Sequence, residues 1–239
     1  MTAAIILAGG LGTRLREVVS HVPKPLAPIN GRPFLEYQLD YWIEQGVIAF
    51  VISVGYMHQH IIGHFGDEYR GVPIDYSVES TPLGTGGAFL LAAQYIFGDE
   101  PFLLLNGDTF FEVDLSALQR FHCKKNADWT FSMFRADRSG RYMGVEVDSN
   151  NRIVEFYSQQ SEERALVNGG VYYISPKAVA HEHWQVGDKG SLESDLVPAA
   201  LESGADFYAF ECSGKFIDIG VPADYVRAAS LLGSRSVDM

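Results

Sequence analysis

The 239-residue chain has little cysteine, no long apolar run and few basic residues. Its two cysteines, Cys123 and Cys212, lie far apart without Cys-x-x-Cys spacing, which predicts free thiols in a reducing compartment. The chain contains no stretch of about eighteen apolar residues, and no charged leader with an apolar segment and a cleavage site. We therefore expect a cytoplasmic protein without a membrane segment.

The shortage of basic residues limits the partners of the chain. Lysine and arginine together number 18 against 30 aspartates and glutamates, so the formal net charge is -12. A protein that binds nucleic acid or an anionic membrane needs a basic face, and we expect neither partner here. An anionic substrate would have to be captured by a local cationic pocket rather than by the field of the whole molecule.

Hydrophobic patterning predicts one α/β domain over 1–232 and a tail over 233–239. In the first half, we predict strands at 4–8, 47–54, 74–78 and 102–105, alternating with helices at 33–46, 56–69 and 86–97. In the second half, we predict strands at 127–134, 144–147, 153–157, 170–174, 207–211 and 216–218, and helices at 192–203 and 222–232. The alternation predicts a Rossmann-like, mainly parallel mixed sheet flanked by helices.

The first predicted strand runs into a loop that contains Gly9, Gly10, Gly12, Thr13 and Arg14. A glycine-rich turn at a strand end exposes backbone N–H groups that can hold phosphate. The loop lacks the lysine of a Walker A motif, and Leu15 stands where a dinucleotide fingerprint needs its third glycine. Arg14 and Lys24 add fixed positive charge, so we predict an anion-binding loop. The alternative is an ordinary glycine cluster in a turn.

Two aspartates follow short apolar strands. Asp108 ends the run Asn106-Gly107-Asp108, and Asp218 follows Phe216-Ile217. A carboxylate at a strand end faces the ligand crevice of a parallel sheet, and its hard oxygens suit Mg²⁺. The alternative for Asp108 is a turn residue, because Asn-Gly-Asp is also favourable turn chemistry.

These motifs resemble those of the sugar-1-phosphate nucleotidyltransferases, and most closely those of its heptose-1-phosphate guanylyltransferases. The resemblance spans about 3–228, and its main stretches are 7–15, 22–25, 30–37, 53–56, 82–88, 105–111 and 168–172. It implies the nucleotide-diphospho-sugar transferase fold and transfer of a nucleotidyl group to a sugar 1-phosphate. It also implies a nucleotide-binding part over about 1–115, a sugar-phosphate part over about 116–232, and Mg²⁺ held by Asp108 and Asp218.

The resemblance assigns further residues to three groups. The catalytic group is Arg14, Lys24 and Asp108. The nucleotide-binding group is Leu7, Ala8, Gly9, Gly10, Gly12, Thr13, Glu79, Pro82, Leu83, Gly84, Thr85, Asn106 and Gly107. The sugar-phosphate group is Gly144, Glu155, Asn168 and Gly169. Many members of the family carry a lysine directly after the glutamate that corresponds to Glu155, but this chain does not. The candidates to replace that lysine are Arg14, Arg164, Lys189 and Lys215.

Glu79 indicates which base the site reads. An ionised carboxylate only accepts hydrogen bonds, and guanine presents two adjacent N–H donors, N1–H and N2–H. Uracil and thymine offer one N–H between two carbonyl oxygens, which a carboxylate would repel. Glu79 therefore favours guanine, with cytosine as the second choice, and the alternative is a glutamate that faces solvent at a strand end.

The expected reaction is transfer of a guanylyl group from GTP to D-glycero-D-manno-heptose 1-phosphate. The products would be GDP-heptose, for a capsule or other surface polysaccharide, and pyrophosphate. The alternatives are a mannose-1-phosphate guanylyltransferase and a uridylyl or cytidylyl transferase. A further alternative is a regulatory subunit that binds a sugar nucleotide without turnover. The sequence also leaves open self-association as a homo-oligomer.

Overall fold

A computed structural model describes residues 2–10, 12, 15, 19, 21–136, 143–157, 165–179 and 184–233. Strands β1 to β14 are, in chain order, Thr2–Leu7, Pro28–Ile29, Arg32–Pro33, Val47–Val54, Glu68–Tyr69, Val72–Val78, Phe102–Asn106, Thr109–Phe111, Trp129–Ala136, Gly144–Val147, Ile153–Tyr157, Ala165–Ile174, Phe207–Glu211 and Phe216–Asp218. Helices α1 to α6 are Phe34–Glu44, His58–Phe65, Gly84–Ala93, Leu115–Lys125, Val197–Glu202 and Pro222–Leu232. A π-helical turn, Leu192–Leu196, leads into α5.

The described strands form one large sheet in the order β11-β10-β12-β7-β1-β4-β6-β5. Strands β7, β1, β4 and β6 pair in parallel, whereas β12 runs antiparallel to β7. Strand β9 pairs with β12, and β13 pairs with β9. Two small antiparallel pairs, β14-β8 and β2-β3, lie outside the large sheet. The predicted fold class, a mainly parallel mixed sheet with helices, is confirmed.

Strand β1 is buried on both of its faces. Ile5 packs into one hydrophobic core, whereas Ala4 and Ile6 pack into a second core. Because successive side chains of a strand point to opposite faces, the two cores lie on opposite sides of the sheet. A continuous apolar run in the sequence is typical of a strand that is covered on both faces.

The predicted helix over 56–69 is wrong in its last part. Helix α2 ends before Gly66, which has a φ of 68°, and β5 then pairs with β6. The turn between these strands contains Arg70 and Gly71, which both have positive φ. In the sequence, the spacing of Tyr69 continues the helical pattern of α2. In the structure, Tyr69 belongs to strand β5 instead.

Helix α4 is the one helix of the described chain that the sequence patterning did not predict. Its buried residues are Leu115, Leu118 and His122, a stripe too narrow to stand out from the surrounding charged residues. The helix begins at Asp114, whose carboxylate accepts a hydrogen bond from the Ala117 N–H at 2.9 Å. It ends at Asn126, which adopts the left-handed conformation. Local capping therefore fixes this helix more clearly than its apolar pattern does.

Three further expectations concern the cysteines, membrane and tail. Cys123 and Cys212 are both free thiols, as predicted. Within the described chain, every helix is too short or too polar to cross a bilayer. Helix α6 ends at Leu232 as predicted, and 234–239 of the predicted tail lie outside the described residues.

His122 is a buried histidine whose two ring nitrogens both have hydroxyl partners. Its ring nitrogens contact the hydroxyl groups of Thr130 and Ser175 at 2.8 and 3.0 Å. Burial lowers the pKa of His122 to about 4, and the opposing charge of Asp128 is a smaller effect. Folding therefore holds this side chain in its neutral form over a pH range in which an unfolded histidine takes up a proton.

We expect His122 to make the protein sensitive to acid. Above pH 6.5 the ring is neutral in both states, but as the pH falls from 6.5 to about 4 only the unfolded state is protonated. The free energy of unfolding should fall by up to about 3 kcal/mol across this window. Urea titrations at several pH values will measure this free energy of unfolding. His122→Gln, which cannot titrate, should flatten the pH dependence, and exposed His60→Gln should not. An unchanged slope in His122→Gln would contradict this assignment.

Candidate functional site

A cleft of about 800 Å³ opens beyond the carboxyl ends of β1, β4, β6 and β7. Its lining includes Leu7, Ala8, Gly9, Gly10, Lys24, Gly55, Tyr56, His58, Glu79, Pro82, Gly84, Thr85, Asn106, Gly107, Asp108, Leu192 and Glu193. The carboxyl ends of parallel strands meet at one edge of a sheet, so residues that are far apart in the sequence come together here. The structure thus gathers twelve residues predicted for the catalytic and nucleotide-binding groups: Leu7, Ala8, Gly9, Gly10, Lys24, Glu79, Pro82, Gly84, Thr85, Asn106, Gly107 and Asp108.

The glycine-rich loop contributes backbone to this cleft. Gly9 and Gly10 line the cleft, and Gly12 lies behind them with a φ of 59°. A Cβ atom on Gly12 would lie 3.2 Å from the Lys24 Cβ atom, so this position combines a left-handed backbone with a close neighbour. Thr13 and Arg14, which were predicted for the site, lie outside the described residues.

Lys24 and Asp108 form an ion pair. The Lys24 ammonium lies 2.5 Å from Asp108 Oδ2, and the lysine side chain is only 10% exposed. Of the lysines and arginines that the structure describes, Lys24 is the one that lines the cleft. The pair joins the first loop of the chain to the end of β7.

Asp218 lies close to this ion pair. Strand β14 pairs with β8 so that Asp218 is opposite Thr109, and the Ile219 N–H donates to the Asp108 carbonyl at 2.9 Å. A Cβ atom on Gly220 would lie 2.7 Å from Asp218 Oδ1 and 3.1 Å from Lys24 Nζ. The two aspartates predicted to bind metal are therefore brought next to one cation, although Asp218 does not line the cleft itself.

The donor set of this cluster fits Mg²⁺. Two carboxylates supply hard oxygen ligands, and Asp108 already contacts a cation, the ammonium of Lys24. The described residues contain no group of three or more histidine, cysteine, aspartate or glutamate side chains that could hold a metal. Two protein carboxylates are sufficient for Mg²⁺ only if a substrate phosphate and waters complete its six ligands.

Gln38 holds the loop that carries Asp108, and it was not predicted for the site. It is buried on α1, and its Nε2 donates to the carbonyls of Asn106, at 2.8 Å, and Thr109. The Gly107 N–H donates in turn to the Leu7 carbonyl at 2.9 Å. A glutamine on the apolar face of a predicted helix was the available signal, because a buried amide needs partners.

Glu79 follows β6 and lies against the glycine-rich loop. A Cβ atom on Gly9 would collide with Glu79 Oε1, and one on Gly55 would lie 3.6 Å from it. The Leu83 N–H donates to Glu79 Oε2 at 2.9 Å. Burial raises the pKa of Glu79, and the hydrogen bond from Leu83 opposes the shift. The half-buried carboxylate therefore faces the cleft rather than open solvent.

The loop after Glu79 is bonded to the segment before the π-helical turn. The Gly86 N–H donates to the Gly190 carbonyl, and the Gly190 N–H donates to the Leu83 carbonyl, both at 2.9 Å. The Thr85 hydroxyl accepts from the Leu192 N–H at 2.8 Å. Thr85, which was predicted to bind nucleotide, thus has a structural partner as well as a place on the cleft wall. Leu83 is buried beneath the loop.

The residues predicted for the sugar side lie outside the cleft lining. Gly144 and Glu155 lie on β10 and β11, and Glu155 is exposed. Gly169 is packed so closely that a Cβ atom would collide with the Phe111 ring. Asn168 is buried, and its side chain bonds to Gly170, Tyr172 and Glu193. The structure therefore places Asn168 directly behind the cleft wall, whereas Glu155 is two strands away.

Of the cations proposed to replace the absent lysine, the two that the structure describes, Lys189 and Lys215, do not line the cleft. Arg164 lies outside the described residues, and Lys189 is exposed. Lys215 lies at the other end of β14 from Asp218, where its N–H donates to Glu112.

Glu193 is a cleft residue that the sequence did not reveal. It lies in the first turn of Leu192–Leu196 and lines the cleft near Asp108. Burial raises the pKa of Glu193, and hydrogen bonds from Tyr172, Asn106 and Asn168 oppose that shift. Acidic residues are ordinary in the first turn of a helix, so nothing in the pattern distinguished this one.

Comparison with known proteins agrees with this geometry. The model of the family described as "Nucleotidyl transferase" matches residues 3–235. A D-glycero-alpha-D-manno-heptose 1-phosphate guanylyltransferase from Aneurinibacillus thermoaerophilus is 40% identical, over 94% of this chain and 96% of that protein. Its counterpart from Campylobacter jejuni is 37% identical, over 93% and 96%. The crystal structure of HddC from Yersinia pseudotuberculosis complexed with GMP-PN has a TM-score of 0.83 and 33% identity, covering 97% and 99%.

We expect two glycine-to-alanine changes in helices to have opposite effects. Alanine favours a helix interior by about 0.5–1 kcal/mol over glycine. Gly63→Ala in α2, with no atom within 4 Å of its new Cβ, should be neutral or stabilising. Gly87→Ala in α3 should lower the free energy of unfolding by about 1–3 kcal/mol, because its Cβ would meet the Asp188 carbonyl and, at 2.8 Å, the Leu83 Cβ. Urea denaturation measures the free energy of unfolding of both variants. If Gly87→Ala is as stable as Gly63→Ala, the start of α3 and the segment around Asp188 are not tightly packed against each other.

Proposed function

The chain belongs to the nucleotidyl transferase family, and we propose that it transfers a guanylyl group from GTP to D-glycero-D-manno-heptose 1-phosphate. The position of Glu79 in the cleft carries the choice of guanine. The choice of sugar is supported by relatives of that name at 40% and 37% identity over nearly the whole chain. The products are GDP-heptose, which supplies a capsule or other surface polysaccharide, and pyrophosphate.

Glu79 reads the base in this proposal. The carboxylate packs against Gly9 and Gly55, and the absence of a side chain on Gly9 leaves the space that Glu79 Oε1 occupies at the cleft wall. The Leu83 N–H occupies one acceptor site of Glu79 Oε2. A carboxylate has about four such sites, so others remain for guanine N1–H and N2–H. Hydrogen bonds to a charged acceptor are each stronger than neutral ones, which makes this contact selective. Pro82, Gly84 and Thr85 would form the adjacent wall.

The first loop and Lys24 hold the triphosphate. We assign the amides of Gly9, Gly10 and Gly12, with Arg14, to the phosphates that leave as pyrophosphate. Lys24 is placed to contact the α-phosphate, because it is the basic side chain that borders the cleft beside Asp108. Positive charge fixed in advance stabilises the negative charge that develops on the leaving group.

Asp108 and Asp218 are the residues that would hold Mg²⁺. When bound, the ion neutralises phosphate charge and aligns the reacting groups. The chain's own residues prepare this arrangement: Gln38 fixes the Asp108 loop, and the pairing of β14 with β8 fixes Asp218. Asp108 and Lys24 would then exchange their mutual contact for contacts with the ligand.

The reaction needs no protein nucleophile. An oxygen of the sugar 1-phosphate attacks the α-phosphorus of GTP in line, and the bond from that phosphorus to the bridging oxygen breaks. The electron pair of the broken bond leaves with pyrophosphate, and no proton must be removed from an ionised phosphate oxygen. The protein accelerates this step by positioning the reactants and by compensating charge.

The remaining assignments follow from this chemistry. We assign 1–115 mainly to the nucleotide and 116–232 mainly to the sugar phosphate, within a single domain, with Gly144, Glu155, Asn168 and Gly169 on the sugar side. The cytoplasm supplies GTP and keeps Cys123 and Cys212 reduced. Self-association as a homo-oligomer belongs to the same proposal and is tested by light scattering.

We expect purified protein to release pyrophosphate most efficiently with GTP and the heptose 1-phosphate, and to stop when EDTA removes Mg²⁺. The assay compares GTP, UTP, dTTP and CTP with this sugar, and the heptose with mannose 1-phosphate. The two sugars differ by one carbon unit, for which a pocket gives about 10- to 200-fold discrimination. Release with UTP or dTTP but not GTP would refute the base assignment, and faster turnover of mannose 1-phosphate would refute the sugar. A higher melting temperature without pyrophosphate release would indicate a binding subunit instead.

Glu79→Gln should weaken the selection of guanine without unfolding the protein. The amide oxygen can still accept one hydrogen bond, but the NH₂ group opposes the second guanine donor. We expect kcat/KM with GTP to fall about 10- to 100-fold and the relative rate with UTP to rise. Exposed Glu100→Gln provides the matched control and should leave both values unchanged. Base selectivity that survives in Glu79→Gln would place the base reader elsewhere.

A further inference from the structure

Glu193 is a cleft carboxylate to which the proposed phosphate and metal chemistry gives no task. It borders the same cleft as Glu79 and Asp108, and Asp108 is close enough for its negative charge to act on Glu193. A third carboxylate adds repulsion in a cleft that must receive two phosphorylated substrates. A ligand group that donates a hydrogen bond would give this carboxylate a task in the cleft.

Two side chains hold the Glu193 carboxylate in place from behind. Tyr172 donates its hydroxyl to Glu193 Oε1 at 3.0 Å, and Asn168 Nδ2 donates to the same oxygen at 3.1 Å. The nearby side chain of Asn106 also favours the charged form of this carboxylate, which opposes the rise that burial causes in the pKa of Glu193. A carboxylate has about four lone-pair sites, so acceptor capacity remains on the side that faces the cleft.

The backbone of Glu193 is fixed as firmly as its side chain. The preceding Leu192 N–H donates to the Thr85 hydroxyl, and Gly190 exchanges two hydrogen bonds with Leu83 and Gly86. Asn168 is fixed in turn, because its Oδ1 accepts from the Gly170 N–H at 3.0 Å. A group held by several independent contacts is suited to geometric selection of a ligand.

Two other ligands for Glu193 are excluded by its chemistry and position. Phosphate oxygens are negative and only accept hydrogen bonds, so a carboxylate repels them. A metal shared with Asp108 and Asp218 would require three carboxylates in one group, and the described residues contain no such group. The neutral hydroxyl groups of a sugar remain, and each of them can donate.

We infer that Glu193 is a specificity-determining residue that accepts a hydrogen bond from one hydroxyl group of the sugar 1-phosphate. The inference rests on the proposed function of the cleft. Asn168 and Tyr172 are then positioning residues, which act on the sugar through Glu193. This explains why Asn168 is buried and bonded internally instead of reaching into the cleft.

The test compares wild-type protein and Glu193→Gln with GTP, the heptose 1-phosphate and a set of its single-deoxy analogues. We expect Glu193→Gln to raise the KM for the sugar about 10- to 100-fold, with GTP affinity within about twofold of wild type. The analogue that lacks the partner hydroxyl should have a lower kcat/KM than the full sugar with wild-type protein. With Glu193→Gln, this analogue and the full sugar should have about the same kcat/KM. Such non-additivity identifies a direct contact, whereas a structural role would penalise every analogue equally.

Glu202→Gln, an exposed glutamate on α5, is the matched control and should change none of these values. Tyr172→Phe, which removes one donor behind the cleft wall, should raise the sugar KM less than Glu193→Gln does. If Glu193→Gln fails to fold, Glu193→Asp, which retracts the carboxylate by one carbon, should show the same loss confined to the sugar. Wild-type protein that releases no pyrophosphate would refute the proposed function. Active wild type with an unchanged sugar KM in Glu193→Gln, or an equal loss on all analogues, would refute this inference alone.

Discussion

The ion pair between Lys24 and Asp108 connects the parts of the molecule on which the cleft depends. It joins the loop after β1 to the end of β7, and Asp218 reaches the same point through β14. Only the lysine of this pair is well buried, and desolvation offsets part of the attraction, so the net contribution of the pair to stability is small. Loss of either partner is costly, however, because it leaves a charge uncompensated. The pair therefore stabilises one arrangement of three segments while it keeps two charged groups available to a ligand.

The second constraint is close backbone contact between the loop after Glu79 and the segment before Glu193. Gly84 and Gly87 have no space for a Cβ atom, because the carbonyls of Gly190 and Asp188 occupy it. These contacts join the proposed base reader to the proposed sugar reader at fixed separation. The glycines of this loop therefore allow two protein segments to meet. In the proposed function, the two substrates are consequently held by one unit rather than by independent loops.

The sequence predicted the parallel half of the fold because β1, β4 and β7 are largely buried and read as nearly continuous apolar runs. It also predicted the cleft, because topology brings the ends of such strands together. It failed where local geometry overrides periodicity. Gly66, with its positive φ, ends the predicted helix early, and helix α4 depends on capping by Asp114 more than on an apolar stripe.

Site residues were predictable where they occur in motifs and hidden where they depend on packing. Gln38 contacts the Asp108 loop across 68 or more residues of sequence, and no local pattern encodes that contact. Glu193 resembles any acidic residue at the start of a helix. The role proposed for Glu193 rests on Asn168 and Tyr172, which the fold brings behind it. Asn168 was predicted for the sugar side from its motif, and the route now proposed for it, through Glu193, required the structure.

The acidity of the chain and its anionic substrates are compatible because the carboxylates of the cleft differ in surroundings. Asp108 has a cation beside it, so it can hold a metal when Lys24 turns to phosphate. Glu79 receives an amide N–H from Leu83 and packs against Gly9, and in the proposal its remaining acceptor sites take the N–H donors of a base. Glu193 receives hydroxyl and amide donors from the protein, and accordingly suits a hydroxyl of the ligand. In the proposed function, one type of side chain thus performs three tasks, and the donors around each carboxylate determine which task it performs.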